Sequence, residues 1–405
     1  MKVGYCITTR RYTLRCKHPE WLQTTQEYYN RIVLFYYQLL QEHTEIHSQN
    51  NQQMMRSLEI LSIPGRDKAP VPAPLPWEKV PLYFRRAAIN AAIAMVKSYL
   101  NKGSYTGQAS DIRASVVYYK GMYRDLAENS IALKVFDGSQ WQWMHCRLSG
   151  NMPVGEAQIL SPTVVLKENN ISLHVPVKEE VTDARNAKER MATGDNLCSI
   201  VFTNSDAFAV ACVLNQENQQ TAARFFRGGK EYAHYCNEIL KKIRKSDVSR
   251  GKEGQLQTTG TTGERTNQKY WLHLKNLSEH YAHRVSSQII AFCQENQVST
   301  IVLHAASEKS TRVVMKTSGN WSPLHLSMRI RTFLSYKAWK AGIVVLEVKP
   351  KQNMSVCSVC GAPIRPRREL CECTNGHTTN RYLNSARSLG KMCREDFAGK
   401  AAQHN

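Results

Sequence analysis

Strands that alternate with helices through the second half of the sequence predict an α/β multidomain protein. Two further observations complete that expectation: hairpin patterning between residues 130 and 186, and a cysteine–histidine cluster near the C-terminus. The 405 residues suffice for two to four domains. Lys and Arg outnumber Asp and Glu by 54 to 33, a formal charge of +21, so the expected partner is a polyanion. No apolar run is long enough to span a bilayer, and the first residues lack a signal-peptide core. Cys6, Cys16, Cys146, Cys198, Cys212, Cys236 and Cys293 are scattered singly, as in reduced intracellular proteins. The expected location is the cytoplasm.

Residues 3–15 read as a strand. Ile32, Phe35, Tyr36, Leu39 and Leu40 then recur at helical spacing, which predicts an amphipathic helix. A proline-rich break covers residues 66–81 and leads into the alanine-rich helix LYFRRAAINAAIAMVKSYL, with Arg85, Arg86 and Lys97. A further helix is predicted over 110–126, where Tyr118, Tyr119 and Tyr123 interleave with Arg113, Lys120 and Arg124. Aromatics that stack on bases beside cations that hold phosphate fit a nucleic-acid surface. Core tyrosines beneath a solvated cationic face fit the same pattern equally well.

After Asn129 the period becomes two. Hairpins are predicted around Asp137–Gly138 and around Glu168–Asn170, and with the N-terminal strand they make a small β-domain. From Asn196 two antiparallel strands are joined near Asn204. A long polar helix, a Gly/Thr-rich insert over 251–267 and a second long helix follow. Then come the strand STIVLHAA, a basic helix with Lys337 and Lys340, and the strand IVVLEVKP. This alternation around one sheet predicts an RNase H-like core.

Cys357 and Cys360 are spaced so that a tight turn, eased by Gly361, places both sulfurs on one Zn²⁺. Cys371, Cys373 and His377 offer three candidates for the two remaining places. Cys373 with His377 is the first choice. Cys371 is the substitute, because two cysteines only two apart serve one tetrahedral ion awkwardly. Four such ligands leave no open position, so this zinc would be structural.

The stretch RIRTFLSYKAWKAGIVVLEVKPKQNMSVCSVCG, the second ligand pair and NRYLNSARSL together resemble the C-terminal half of TnpB proteins and the miniature type V CRISPR effectors. The resemblance implies a β-barrel wedge domain (1–18 and 130–186) and a helical recognition domain (19–129). It further implies a RuvC-like RNase H-fold domain (187–350 and 378–405) and a zinc ribbon (351–377). In that family a guide RNA pairs with double-stranded target DNA, and RuvC cuts with three acids that hold two Mg²⁺ ions. Matching the motifs onto this chain puts Phe202, His304 and Tyr382 at the three acid positions. None carries an anionic oxygen, and no acid lies between Glu372 and Glu395. The expectation is therefore no catalytic Mg²⁺ and no nuclease, with Asp206 and Glu308 as displaced acids in the alternative of an active enzyme. What remains is RNA-guided DNA binding without cleavage, in a bacterial cytoplasm and at the nucleoid when DNA-bound. Its output would be transcriptional control or blocking by occupancy, with a second copy or the transcription machinery as a further partner. Candidate nucleic-acid contacts are Arg85, Arg86, Lys120, Arg124, Lys337 and Lys340.

Overall fold

A computed structural model describes residues 3–65, 69–102, 112–150, 158–167, 170–253, 267–305, 321–349 and 356–402. It divides into two compact units, Ile7–Glu179 and Met1–Cys6 with Glu180–Asn405. The architecture is mixed α/β, as the sequence predicts.

In the first unit, helices α1 (Pro19–Glu42), α2 (Asn51–Ser62) and α3 (Leu82–Lys102) pack on a sheet. Tyr29, Ile32, Val33, Tyr36 and Leu40 form the buried stripe of α1, and Phe84, Ala88 and Ala92 of α3 join them in one core. The small side chains of α3 let the two helices approach closely. Asn50 caps α2 by accepting from the N–H groups of Gln52 and Gln53, while Gln53 accepts from the Asn50 N–H in return.

The sheet contains β1 (Gly4–Cys16), β2 (Val116–Val117), β3 (Tyr123–Arg124), β4 (Ser130–Phe136), β5 (Trp141–Ser149), β6 (Gln158–Ile159), β7 (Thr163–Lys167) and β8 (Asn170–Val181). Their order is β2-β7-β8-β1-β5-β4-β3, with β6 beside β8. Asp137 shapes the β4–β5 turn by accepting from Gln140 and Ser139 N–H groups at 2.8 and 2.7 Å. Those bonds hold its carboxyl down at about 2. Residues 168 and 169 of the second expected turn lie outside the described residues. Tyr12 and Leu14 of β1, Tyr29 of α1 and Leu133 of β4 share one core, so the helical and β regions form one unit.

The helix expected over 110–126 is corrected in its described part. Val116 and Val117 pair with β7, Tyr123 and Arg124 pair with β4, and a turn at Gly121, with φ at +98°, separates them. The β-branched pair favours extended backbone, and a left-handed residue ends any helix.

The second unit is built on β9 (Asn196–Phe202), β10 (Ala207–Leu214), β11 (Gln220–Arg227), β12 (Val298–His304) and β13 (Val344–Val348), in the order β11-β10-β9-β12-β13. β10 is antiparallel to both neighbours, whereas β9, β12 and β13 run parallel. Every residue of β10 is buried, because helices cover both faces of the sheet. Helices α5 (Gly229–Glu253), α6 (Gln268–Glu295) and α7 (Pro323–Lys340) contribute to the core on one face. Helix α8 (Arg381–Ala402) covers the other. A side chain at Gly390 would stand 2.7 Å from Leu214, so glycine lets α8 lie flat on the sheet. Ser199 fixes that contact by donating to the Ala386 carbonyl at 2.5 Å.

Helix α4 (Ala187–Ala192) carries Arg190, the largest fully buried side chain among the described residues. Its guanidinium donates to the carbonyls of Ser299, Gly342, Asp183 and Arg185 at 2.6, 2.7, 2.8 and 2.9 Å. One cation thereby ties together the chain entering the sheet and the starts of two parallel strands. Strands β14 (Ile364–Arg367), β15 (Leu370–Cys373) and β16 (Thr378–Asn380) form a separate small antiparallel sheet. No helix among the described residues is long and apolar enough to cross a membrane.

Candidate metal centre and nucleic-acid interface

Two tight turns carry the cysteine–histidine cluster. In the first, the Gly361 N–H donates to the Cys357 carbonyl at 2.9 Å, with Gly361 at φ +74°. In the second, Gly376 takes φ +83° and the His377 N–H donates to the Cys373 sulfur at 3.3 Å. The ligand atoms of Cys357, Cys360, Cys373 and His377 all lie within 4.8 Å of one another. Cys360 and Cys373 Sγ are 3.7 Å apart, and Cys373 Sγ is 3.3 Å from His377 Nδ1. Burial pushes the Cys357 thiol up, but the N–H groups of Cys360 and Val359 pull it further down, below its ordinary value. Cys371 is buried outside this group, paired through its backbone with Thr379. The structure thus brings His377, and not Cys371, to the other three donors. Three sulfurs and one imidazole at this spacing suit a closed tetrahedral site for a borderline-soft cation.

Asn384 of α8 fixes the centre from behind. It is fully buried, its Oδ1 accepts from the Ser358 N–H at 2.8 Å, and its Nδ2 donates to the Val356 carbonyl at 2.8 Å. Lys391 adds a bond to the Ser358 carbonyl at 2.7 Å.

Phe202 and His304 end the neighbouring parallel strands β9 and β12, whose last registered pair is Ile200 with Leu303. The Phe202 ring packs on the α7 side, with the Arg331 guanidinium 4.9 Å from its centroid. His304 is exposed and donates from Nδ1 to the Ala305 carbonyl at 2.9 Å. Tyr382 lies in the first turn of α8, and its hydroxyl accepts from Arg381 at 2.6 Å. Phe202 packs on the α7 face of the sheet, and Tyr382 belongs to the helix that covers the opposite face. Asp206 Oδ1 accepts from the Lys230 N–H at 3.4 Å, and its carbonyl accepts from the Gly229 N–H at 2.6 Å, which anchors the start of α5. Glu308 lies outside the described residues.

The cationic candidates differ in their partners. Arg85 and Arg86 both hold Glu59, at 3.3 and 3.0 Å. Lys337 donates to the His283 carbonyl, Ser286 and Ser287, each at 2.8 Å. Lys120 and Lys340 are exposed. Arg124 is half-exposed, 3.4 Å from Asp125 and with its guanidinium 4.3 Å from the Trp143 centroid. Tyr118 is core, and Tyr119 accepts a bond from Asn90 at 3.0 Å.

Beside Arg124, Lys134 lies 5.9 Å from the same Trp143 ring, while His145 and Arg147 are exposed on β5 and Arg15 on β1. The inward residues Met144, Cys146 and Leu148 alternate with them. This outer sheet face, aromatic and cationic, can stack a base and hold phosphate. Sequence reasoning passed over Trp143 and Arg147, although the alternation that reveals the strand also assigns them to its outer side.

Residues 328–389 match the family model of the Cas12f1-like TNB domain, and residues 6–137 match the Aq_aa04 family. No curated protein matches the chain. Among solved structures, Cas12f1 in its complex with sgRNA and target DNA superposes with a TM-score of 0.57 at 12% identity, over 91% of this chain and 81% of that one. The mini-RNA-guided endonuclease CRISPR-Cas_phi3 gives 0.53 at 8% identity, over 97% and 93%. AacC2c1 in its sgRNA and extended non-target DNA ternary complex gives 0.51 at 9% identity, over 93% and 70%. The chain has the fold seen in Cas12f1 and CRISPR-Cas_phi3, and its residues 328–389 match the Cas12f1-like TNB domain.

Proposed function

We propose that this chain is an RNA-guided, sequence-specific binder of double-stranded DNA that does not cut its target. In this reading β9–β13 and their helices are a RuvC-like RNase H-fold core, β14–β16 a zinc ribbon, β1–β8 the wedge and α1–α3 the recognition region. Two observations support the partners: a formal charge of +21, and a fold shared with Cas12f1 seen with sgRNA and target DNA and with AacC2c1 seen with sgRNA and non-target DNA. Base pairing by the guide would read the sequence, and the protein would hold the duplex by its backbone.

One observation carries the loss of cutting. The ends of β9 and β12 and the first turn of α8 present Phe202, His304 and Tyr382, with no carboxylate among them. Paired Mg²⁺ ions need several anionic oxygens, which a phenyl ring, an imidazole and a phenol do not supply. A cutting enzyme would have to draw on Asp206 or Glu308, and Asp206 is tied to the start of α5. Zn²⁺ would be held by Cys357, Cys360, Cys373 and His377, and with no open position it would organise the ribbon rather than activate water. Occupancy of the target is then the output, as repression or blocking.

The test is direct. The protein is purified with its RNA, the RNA is sequenced, and a matching DNA duplex is incubated with the complex in Mg²⁺ or Mn²⁺. RNA-dependent binding with intact DNA is expected. Guide-dependent cleavage abolished by Asp206→Ala would overturn the non-cutting reading, and binding unaffected by RNA removal would overturn the guided one.

A further inference from the structure

We infer that a cavity between α4 and α8 binds a small organic anion, one carboxylate or phosphate on a compact apolar body. The inference stands apart from guided DNA binding. The cavity holds about 350 Å³ and is lined by Lys188, Met191 and Ala192 of α4, Gln216 of the β10–β11 turn, and Arg394 and Phe397 of α8. That is the lower end of the range for small-molecule sites, roughly 300–1,000 Å³.

Arg394 supplies the central observation. Its Nη2 donates to the Asp195 carbonyl at 3.0 Å, but its Nε–H is buried with no acceptor among the described residues. A buried donor left unmade is costly, and such groups commonly mark the place of a missing partner. Nη2 carries two hydrogens and the carbonyl takes one. An oxyanion in the cavity can take the second Nη2 hydrogen.

The Asp195 carboxylate is bonded to Arg185 and Thr193, each at 2.8 Å, and Glu217 and Asp195 both act on Arg394 through their charge. Lys188, exposed and in no ion pair among the described residues, adds a second charge at the mouth. Met191 and Phe397 pack at the edge of the α8 core cluster and give the cavity an apolar floor. Gly194, at φ +73°, brings that wall close: a Cβ there would stand 2.5 Å from the Gln216 side chain. An apolar floor beside the Arg394 and Lys188 cations selects an organic anion over a bare inorganic one.

Benzoate, phenyl phosphate and inorganic phosphate are titrated into the full chain at constant ionic strength, with binding followed by calorimetry and ligand-observed NMR. The two organic anions are expected to bind at least about tenfold more tightly than inorganic phosphate. Arg394→Met should weaken them about ten- to a hundredfold. Ala192→Trp, which fills the cavity from an exposed helical position, should abolish binding at an unchanged Tm. If Arg394→Met does not fold, Ala192→Trp decides alone. No organic-anion binding at millimolar concentration, no preference over inorganic phosphate, or binding that survives Ala192→Trp would each overturn the inference.

Discussion

The guanidinium of Arg331 lies 4.9 Å from the ring centre of Phe202, and its Nη1 is 3.3 Å from Glu347. Burial lowers the pKa of Arg331 while Glu347 raises it, yet an arginine remains charged in proteins. An acid introduced at position 202 therefore meets a fixed cation before it meets a metal. We expect Phe202→Asp to pair with Arg331 and to bind no Mn²⁺ in an EPR titration of the RNA-loaded protein. Micromolar Mn²⁺ binding by that variant would show that the strand ends still accept divalent ions.

The metal centre makes a sharper distinction. Cys357→Ser removes one of four clustered donors, whereas Cys371→Ser removes a buried thiol outside the cluster. Structural zinc sites supply apparent binding energies of roughly 10–16 kcal/mol. Cys357→Ser should therefore lose both bound zinc and ribbon order, while Cys371→Ser should keep about one zinc per chain. Metal analysis with thermal melts reads both. Equal zinc loss in the two variants would mean that Cys371 is a ligand.

Much of this organisation is legible in the sequence, and the failures have physical causes. Cysteine spacing located the metal centre, but only the folded turn, with Gly376 in the left-handed region, brings His377 to Cys373. The period-two segments gave both hairpins. The segment 110–126 misled because its aromatics recur at a helical interval, while its Val116–Val117 pair and Gly121 favour strand and turn. Strand β11 escaped notice because it is an edge strand with mostly exposed side chains. Arg190 is invisible to pattern reasoning, since its carbonyl partners come from loops and strand ends more than a hundred residues away as well as nearby. Likewise Arg85 and Arg86 read as free surface cations until Glu59 of α2 is placed between them.

That pairing carries a pH signature. Burial raises the pKa of Glu59, but its bonds to Arg86 and Arg85 lower it further, so the net shift is downward. A carboxylate whose folded pKa is depressed contributes its full stability above the unfolded value, about 4.3. That contribution is lost as pH falls through the folded value. Glu59→Gln should cost about 2 kcal/mol at neutral pH and flatten the acid limb of the stability curve below about pH 4.3. Urea denaturation at several pH values measures it. An unchanged acid limb would assign the acid sensitivity to other carboxylates.

The same structure separates cations on the exposed face of the sheet from those held by several bonds within the fold. Each phosphate contact removed should lower the slope of log K against log salt by roughly 0.9 on duplex DNA, and by roughly 0.7 on a single strand. Arg124, Arg147 and Arg15 lie on the outer face of the β-sheet, so their alanine variants should show that loss. Lys337 donates three bonds to α6, so Lys337→Ala should lower stability and leave the slope unchanged. Trp143 tests the stacking component separately. With Arg124 and Lys134 beside its ring, Trp143→Ala should cost about 1–3 kcal/mol of single-strand affinity with no change in slope. Filter binding across a salt series distinguishes the two effects, because charge alters the slope and stacking alters only the intercept. A slope that falls with Lys337→Ala but not with Arg147→Ala would move the nucleic-acid face from the sheet to α7.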